Sequence, residues 1–241
     1  MKKFNKVILI PARSGSKRLK NKNIKLLDGI PLLAHSILQA KKIKKIDHII
    51  VSTDSREYAK IAKKFGAKIY YIRPKNISGD FSTDLDVFKF NEFWLNKYLN
   101  YKTDIYIHLR PTFPYRNIND INRMIKIIEK NYDKIQSVRS VSKYERKIEK
   151  IYKIDDEGYL KNSFGFKRYK NNLLNDFMCN QSDQILPSYF IHDGAIDIFK
   201  STNLKKNTVS GNKIMSYITK TSGFDINNLN DFKKNIKLKI K

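Results

Sequence analysis

The run Val7-Ile8-Leu9-Ile10, followed at once by Pro11-Ala12-Arg13-Ser14-Gly15-Ser16-Lys17-Arg18, constrains the fold more than any other stretch. Four apolar residues without polar alternation predict a strand buried on both faces. In open α/β folds the carboxyl edge of the sheet binds ligands, so the loop after this strand lies at the binding edge. That loop carries a small flexible pair, Ser14 and Gly15, and the cations Arg13, Lys17, Arg18, Lys20 and Lys22. Backbone amides freed around Ser14, Gly15 and Ser16, together with convergent cations, make a polyphosphate site. A solvated basic turn is the alternative, because lysine is scattered along the whole chain.

Strand-like and helix-like segments then alternate. Residues 31–43 carry apolar side chains at helical spacing, with Pro31 suited to the first turn. Residues 48–52 form a second strand. Asp54 is placed to cap a helix over 55–64, with Glu57 as its capping-box partner and Gly66 just past the end. A third strand is expected over 68–72, a helix over 83–100, a fourth strand over 105–109 and a helix over 118–129. This β-α-β-α order predicts an α/β fold with a parallel, three-layer sheet. From Ser137 the texture changes. A short strand at 137–141 precedes a polar segment, 143–180, in which Asp155-Asp156-Glu157-Gly158 marks a hairpin turn. That segment reads as an inserted β-rich arm. Strands at 195–199 and 213–219, a helix at 228–236 and a loose tail at 237–241 complete the chain.

The 241 residues suit one large domain with a small subdomain. Cys179 is the sole cysteine, so an intrachain disulfide and a cysteine-based zinc site are excluded, and a reducing, cytoplasmic setting is expected. No run is long enough for a signal sequence or a membrane span. The net charge of +26 raises the reading of a nucleic-acid-binding module. The charge is spread over the whole length, however, and no nucleic-acid motif accompanies it. It equally favours small anionic substrates.

Several separated motifs are alike in kind. The stretch Pro11 to Arg18, followed by Lys22-Asn23, resembles the signature of the cytidylyltransferases that make CMP-activated nonulosonic acids. These are the N-acylneuraminate (sialic acid) cytidylyltransferases and their legionaminate and pseudaminate relatives. The resemblance continues at Ser52-Thr53-Asp54, Arg73-Pro74, Asp80-Phe81-Ser82-Thr83 and Leu109-Arg110-Pro111-Thr112-Phe113-Pro114-Tyr115-Arg116. It recurs at Leu186-Pro187, at Asp193-Gly194-Ala195-Ile196 and at Phe224-Asp225-Ile226-Asn227 with Asp231-Phe232. The ordered set spans nearly the whole chain.

The resemblance implies a Rossmann-like nucleotidyltransferase, with a mostly parallel sheet, helices on both faces and an arm, about 143–180, exchanged in a homodimer. It implies attack of the anomeric hydroxyl of a 2-keto-3-deoxy sugar acid on the α-phosphorus of CTP, assisted by Mg²⁺ or Mn²⁺. The products are a CMP-sugar and pyrophosphate. Neither nucleic acid nor membrane is an implied partner. Arg13 and Lys22 match phosphate-binding positions, with Lys17 and the Ala12–Ser16 loop as helpers. Asn23 matches a position that reads the cytosine edge, and Arg73 one near base and ribose. Asp80 and Thr83 fall at a helix start beside the nucleotide, where either also serves as a cap. Arg110, Thr112, Gln184, Asp193 and Gly194 fall on the sugar side. Asp225 matches the metal carboxylate, although an N-terminal cap is the ordinary reading of such a residue.

Four residues depart from the pattern. Asn227 stands where a second metal-binding Asp is usual, Asp183 where an Arg precedes the Gln, and Asp193 where an Asn precedes the Gly. Arg110 replaces a frequent Gln and is a candidate to hold the sugar carboxylate in place of the missing arginine. A Kdo-type cytidylyltransferase is the rival within the same fold.

Overall fold

The computed structural model describes residues 3–162, 180–219 and 225–238. Cys179, Phe224 and the tail from 239 lie outside these residues. The chain divides into two compact units, residues 1–140 with 193–241, and residues 141–192.

The first unit opens with β1 (Lys6–Pro11), in which Val7 to Ile10 are all fully buried. Short strands β2 (Leu26–Leu27) and β3 (Ile30–Pro31) precede α1 (Leu32–Lys41). Then come β4 (His48–Ser52), α2 (Arg56–Lys64), α3 (Asp84–Leu99), β5 (Ile105–His108) and α4 (Ile118–Lys130). Strand β6 (Ser137–Tyr144) follows, and after two short strands of the second unit come β9 (Tyr189–Lys200), α5 (Thr202–Lys205), β10 (Ile214–Ile218) and α6 (Leu229–Leu238). The six-stranded sheet has the order β10-β6-β9-β5-β1-β4, with β1 parallel to both β4 and β5 and β9 antiparallel to β5.

The alternation of β1 explains the three layers. Ile8 and Ile10 join Leu33, Ile37, Met124 and Ile128 in one apolar cluster. Val7 and Leu9 point the other way and join Val87, Phe88, Leu95 and Phe199. Helices therefore cover both faces, and each fully buried aliphatic side chain contributes about 1.5–3 kcal/mol. Parallel pairing brings the ends of β1, β4 and β5 to one edge.

Three local expectations are corrected. The third strand, 68–72, is reduced to one parallel bridge, Ile50 to Lys68. Its tyrosines pack against α3 instead of letting the backbone lie along β4. Tyr70 stacks on Trp94 with ring centroids 5.1 Å apart, and Tyr71 donates to Asn91 Oδ1 at 2.9 Å. Pro31 is the N-cap of α1, not its first turn. Ser55, not Asp54, caps α2 by accepting from Tyr58 N–H at 3.3 Å.

The second unit contains the hairpin β7 (Tyr152–Ile154) and β8 (Leu160–Asn162), paired antiparallel. Asp155 makes the turn by accepting from Tyr159 N–H at 2.8 Å, and Gly158 adopts φ +88°, a conformation that favours glycine. No helix among the described residues is long and apolar enough to cross a membrane.

Candidate active site

A cavity of about 300 Å³ opens at the carboxyl edge of β1 and β5 in the first unit. Arg13, Ser16, Lys17, Lys22, Asn23, Arg73, Asp80, Thr83, Arg110, Thr112 and Asn227 all line it. Residues far apart in the chain thus converge because parallel strands end together.

The loop after β1 is held from below. Asp54, at the end of β4, accepts from Ser14 N–H at 2.8 Å and from Ser14 Oγ at 3.0 Å. Ser16 N–H donates to Ser14 O at 2.9 Å. Two of the amides expected to cradle phosphate are therefore committed within the protein. Ala12, Ser14 and Gly15 do not line the cavity. What the loop presents is cationic. Arg13 donates to Gly79 O at 2.8 Å and pairs with Asp80 at 3.0 Å. Lys17 pairs with the other oxygen of Asp80. The Lys17 ammonium, then the Arg13 guanidinium, hold the Asp80 carboxyl below the usual carboxylate range. Asp80 is thus a counter-ion between two cations and not a helix cap. Arg18 is exposed and also lines the cavity.

Asn23 is 5% exposed and donates its side-chain amide to Arg13 O at 2.9 Å. Its first measurable task is to fix the Arg13 backbone. Arg73 is 4% exposed, with Nε donating to Ser78 Oγ at 3.1 Å, and burial lowers its pKa. Thr83 is the N-cap of α3 in a full capping box with Asp86, so the cap reading holds while the residue still borders the cavity.

The far wall comes from Asn227, the last residue of the segment at 225–227; Asp225 and Ile226 do not line the cavity. The alternation of this segment turns Ile226 inward, fully buried beside Leu19, Leu27 and Phe232. The Ile226 peptide is pinned on both sides, with its N–H donating to Thr112 O at 2.9 Å and its carbonyl accepting from Lys22 Nζ at 3.0 Å. Burial pushes the Lys22 pKa down, against the opposing charge of Asp225. Asp225 Oδ2 accepts from Asn227 Nδ2 at 2.7 Å, whereas Asp225 Oδ1 is buried without a hydrogen-bond partner among the described residues. No cluster of three His, Cys, Asp or Glu side chains with metal-ligand geometry occurs among the described residues.

The sugar-side expectations fare unevenly. Arg110 is already engaged: NH1 donates to Asp197 at 2.8 Å and to Gly194 O at 3.2 Å, and NH2 donates to Asp84 at 3.0 Å. Gly194 is at φ +75°, a backbone conformation that favours glycine, although an added Cβ would stand at an ordinary contact distance of 4.0 Å from Arg110 NH1. Asp193 does not line the cavity. Its carboxylate accepts from Ser140, Thr219 and Ala195 N–H, which makes it a buttress of β9. Gln184 and Asp183 belong to the second unit, on an exposed turn where Asp183 pairs with Lys150. Arg116, within the same motif as Arg110, is 6% exposed and donates to Ser36, Gln39 and three carbonyls. Burial lowers it to about 9, and it clamps the loop after β5.

Sequence reasoning missed Asp54 as the anchor of Ser14, and Asp84 and Asp197 as the partners of Arg110. The last pair becomes visible only through strand register, which sets Asp197 opposite His108.

Comparison with known proteins bears on this geometry. The family model described as cytidylyltransferase matches residues 7–205. The flagellin modification protein B of Campylobacter coli is 29% identical over 226 residues, covering 93% of this chain and 90% of that protein. The N-acylneuraminate cytidylyltransferase of Escherichia coli is 33% identical over 177 residues, covering 72% of this chain and 40% of that protein. The CMP-N,N'-diacetyllegionaminic acid synthase of Legionella pneumophila is 36% identical over 139 residues, covering 56% of this chain and 57% of that protein. Among solved structures, CMP:2-keto-3-deoxy-manno-octonic acid synthetase with CTP superimposes with a TM-score of 0.71 at 17% identity, covering 98% of both chains. That likeness bears on the fold alone.

Proposed function

Because the chain belongs to the cytidylyltransferase family, we propose that it transfers CMP from CTP to the anomeric hydroxyl of a sialic-, legionaminic- or pseudaminic-type sugar acid. The observation that carries this reading is the convergence of Arg13, Lys17 and Lys22 on one cavity that also meets Asn23, Arg73 and Arg110. The relatives named for sialic, legionaminic and pseudaminic acids support the substrate class.

Attack at an α-phosphate builds charge on its oxygens and on the departing pyrophosphate. Cations held in place beforehand stabilise that charge without reorganising during the reaction. Arg13 and Lys17 would exchange the Asp80 carboxylate for phosphate oxygens. Lys22, fixed by the Ile226 carbonyl, meets the phosphates from the opposite wall. Asn23 and Arg73, both buried, orient base and ribose, and Arg110 holds the sugar carboxylate.

Mg²⁺, or Mn²⁺, fits at Asp225, beside the wall formed by Asn227, on one observation, the unpartnered buried Oδ1 of Asp225. Asp225 would hold the ion, with Asn227 contributing its amide oxygen after rotation of the side chain; a hard cation bound by few protein oxygens is usual for magnesium. Bound there, the metal neutralises phosphate charge and lowers the pKa of a coordinated hydroxyl. The second unit is assigned the dimerisation role, supported by its exposed apolar residues Ile154, Leu160 and Ile185. A cytoplasmic location belongs to the same reading.

The test is pyrophosphate release with CTP, Mg²⁺ and a panel containing N-acetylneuraminate, N,N'-diacetyllegionaminate, pseudaminate and Kdo. Turnover with a nine-carbon acid supports the proposal. Turnover with Kdo alone assigns the chain to the rival substrate, and release from none of the four overturns the reading.

A further inference from the structure

One polar side chain at the cavity has no place in the chemistry above. His108 closes β5, lines the cavity and is 1% exposed, yet neither ring nitrogen has a hydrogen-bond partner among the described residues. A buried polar group left unpaired costs about 1–3 kcal/mol, so its retention calls for a function. Phe88 packs edge-on against the ring at 5.0 Å and holds its orientation.

Asp84 is the carboxylate that faces the ring. Its Oδ2 lies 3.9 Å from His108 Nδ1, about 1 Å longer than a typical N–H···O hydrogen bond. The same oxygen accepts from Arg110 NH2 at 3.0 Å. Arg110 is also anchored through NH1, by Asp197 and by the Gly194 carbonyl. Asp197 in turn pairs with Arg139 at 2.7 Å. Arg110 can therefore release Asp84 through NH2 without losing its position.

We propose that His108 is a positioning residue that frees Arg110 for an anionic group of the sugar substrate. The proposal rests on the function given above. When a carboxylate takes Arg110 NH2, Asp84, whose side chain is 45% exposed, is left without its cation. A short movement lets it accept the Nδ1–H of His108 instead. The resting molecule thus holds the second partner of Asp84 in reserve, 3.9 Å away. His108 needs no contact with substrate, which agrees with a ring that is 1% exposed.

The experiment compares the wild type with His108→Leu and His108→Asn. CTP is varied at fixed sugar acid, and each nine-carbon acid that the wild type uses is varied at saturating CTP. Expected for His108→Leu is at least a tenfold rise in KM for the sugar acid, with KM for CTP within twofold and a melting temperature no lower than wild type. His108→Asn, which keeps a donor near the Nδ1 position, brings the sugar KM back to within threefold. The ¹⁵N resonance of His108 Nδ1 moves when the sugar acid is added, and in Arg110→Ala it is already moved without sugar. An unchanged sugar KM in His108→Leu overturns the proposal, as does a parallel rise in both KM values or an Asn variant no better than Leu. A wild type that uses none of the acids fails at the earlier step and removes the substrate reading together with this one.

Discussion

Asp54 and Ser14 are joined twice, through the Ser14 amide at 2.8 Å and its hydroxyl at 3.0 Å. The carboxylate closes the end of β4 and holds the loop that follows β1, so the direction of Arg13 depends on a residue 41 positions away in the chain. Asp54→Ala is expected to lower kcat/KM for CTP about 10- to 100-fold, because a small misplacement of a phosphate-binding group weakens the transition state strongly. Asp54→Asn, which keeps an acceptor, loses less. Steady-state pyrophosphate release measures both.

Arg13 pairs with Asp80 in a half-exposed setting, with side-chain exposures of 36% and 35%. Such a pair adds little to folding. Arg13→Ala should therefore change the unfolding free energy by less than about 0.5 kcal/mol. In the same protein, kcat/KM for CTP should fall by at least about 100-fold, the scale for loss of one charge-stabilising donor. Urea unfolding and turnover, measured side by side, separate the two effects.

Asn227 supplies a neutral oxygen where a charged one would strengthen cation binding. Asn227→Asp is expected to tighten Mn²⁺ about tenfold, equivalent to about 1.4 kcal/mol. Asp225→Asn should abolish the binding. Calorimetric titration of Mn²⁺ in the presence of CTP reads both variants, and chelation with EDTA should stop turnover of the wild type.

Burial, and then the charge of Arg110, push His108 down to about 4 from its ordinary 6.5. Between those values the unfolded chain binds a proton that the folded chain refuses. Stability from this residue is thus complete above pH 6.5 and is lost as pH falls toward 4. The loss approaches about 3 kcal/mol. His48, also lowered by burial and by Lys68, acts in the same direction. His108→Leu should remove the larger part of the acid sensitivity, and urea midpoints from pH 7.5 to 4.5 would show a flatter profile than wild type.

Arg116 donates to five acceptors from a site that is 6% exposed. Arg116→Ala leaves buried acceptors unpaired and is expected to cost about 3 kcal/mol or more of unfolding free energy. Denaturant unfolding monitored by circular dichroism checks this.

The layered α/β architecture was legible in the chain because its cause is local. The apolar run of β1 demands cover on two faces, and the helical spacing at 31–43 and 118–129 supplies it. The cationic loop after β1 was legible for the same reason, since strand polarity alone puts it at the binding edge. Local rules misjudged residues whose partners are distant. Asp54 has the chemistry of a helix cap, but Ser55 meets the α2 amides and Asp54 turns to Ser14. Asp193 has the chemistry of a ligand contact, but Ser140 and Thr219 enclose it. The residues at 68–72 have the composition of a strand, but tyrosine packing on α3 draws them off β4. In each case a side chain can satisfy its hydrogen bonds or bury its surface in two ways, and only long-range packing selects one. The same selection sets His108 beside Asp84 and Asp84 against Arg110, a relation that no spacing in the sequence encodes.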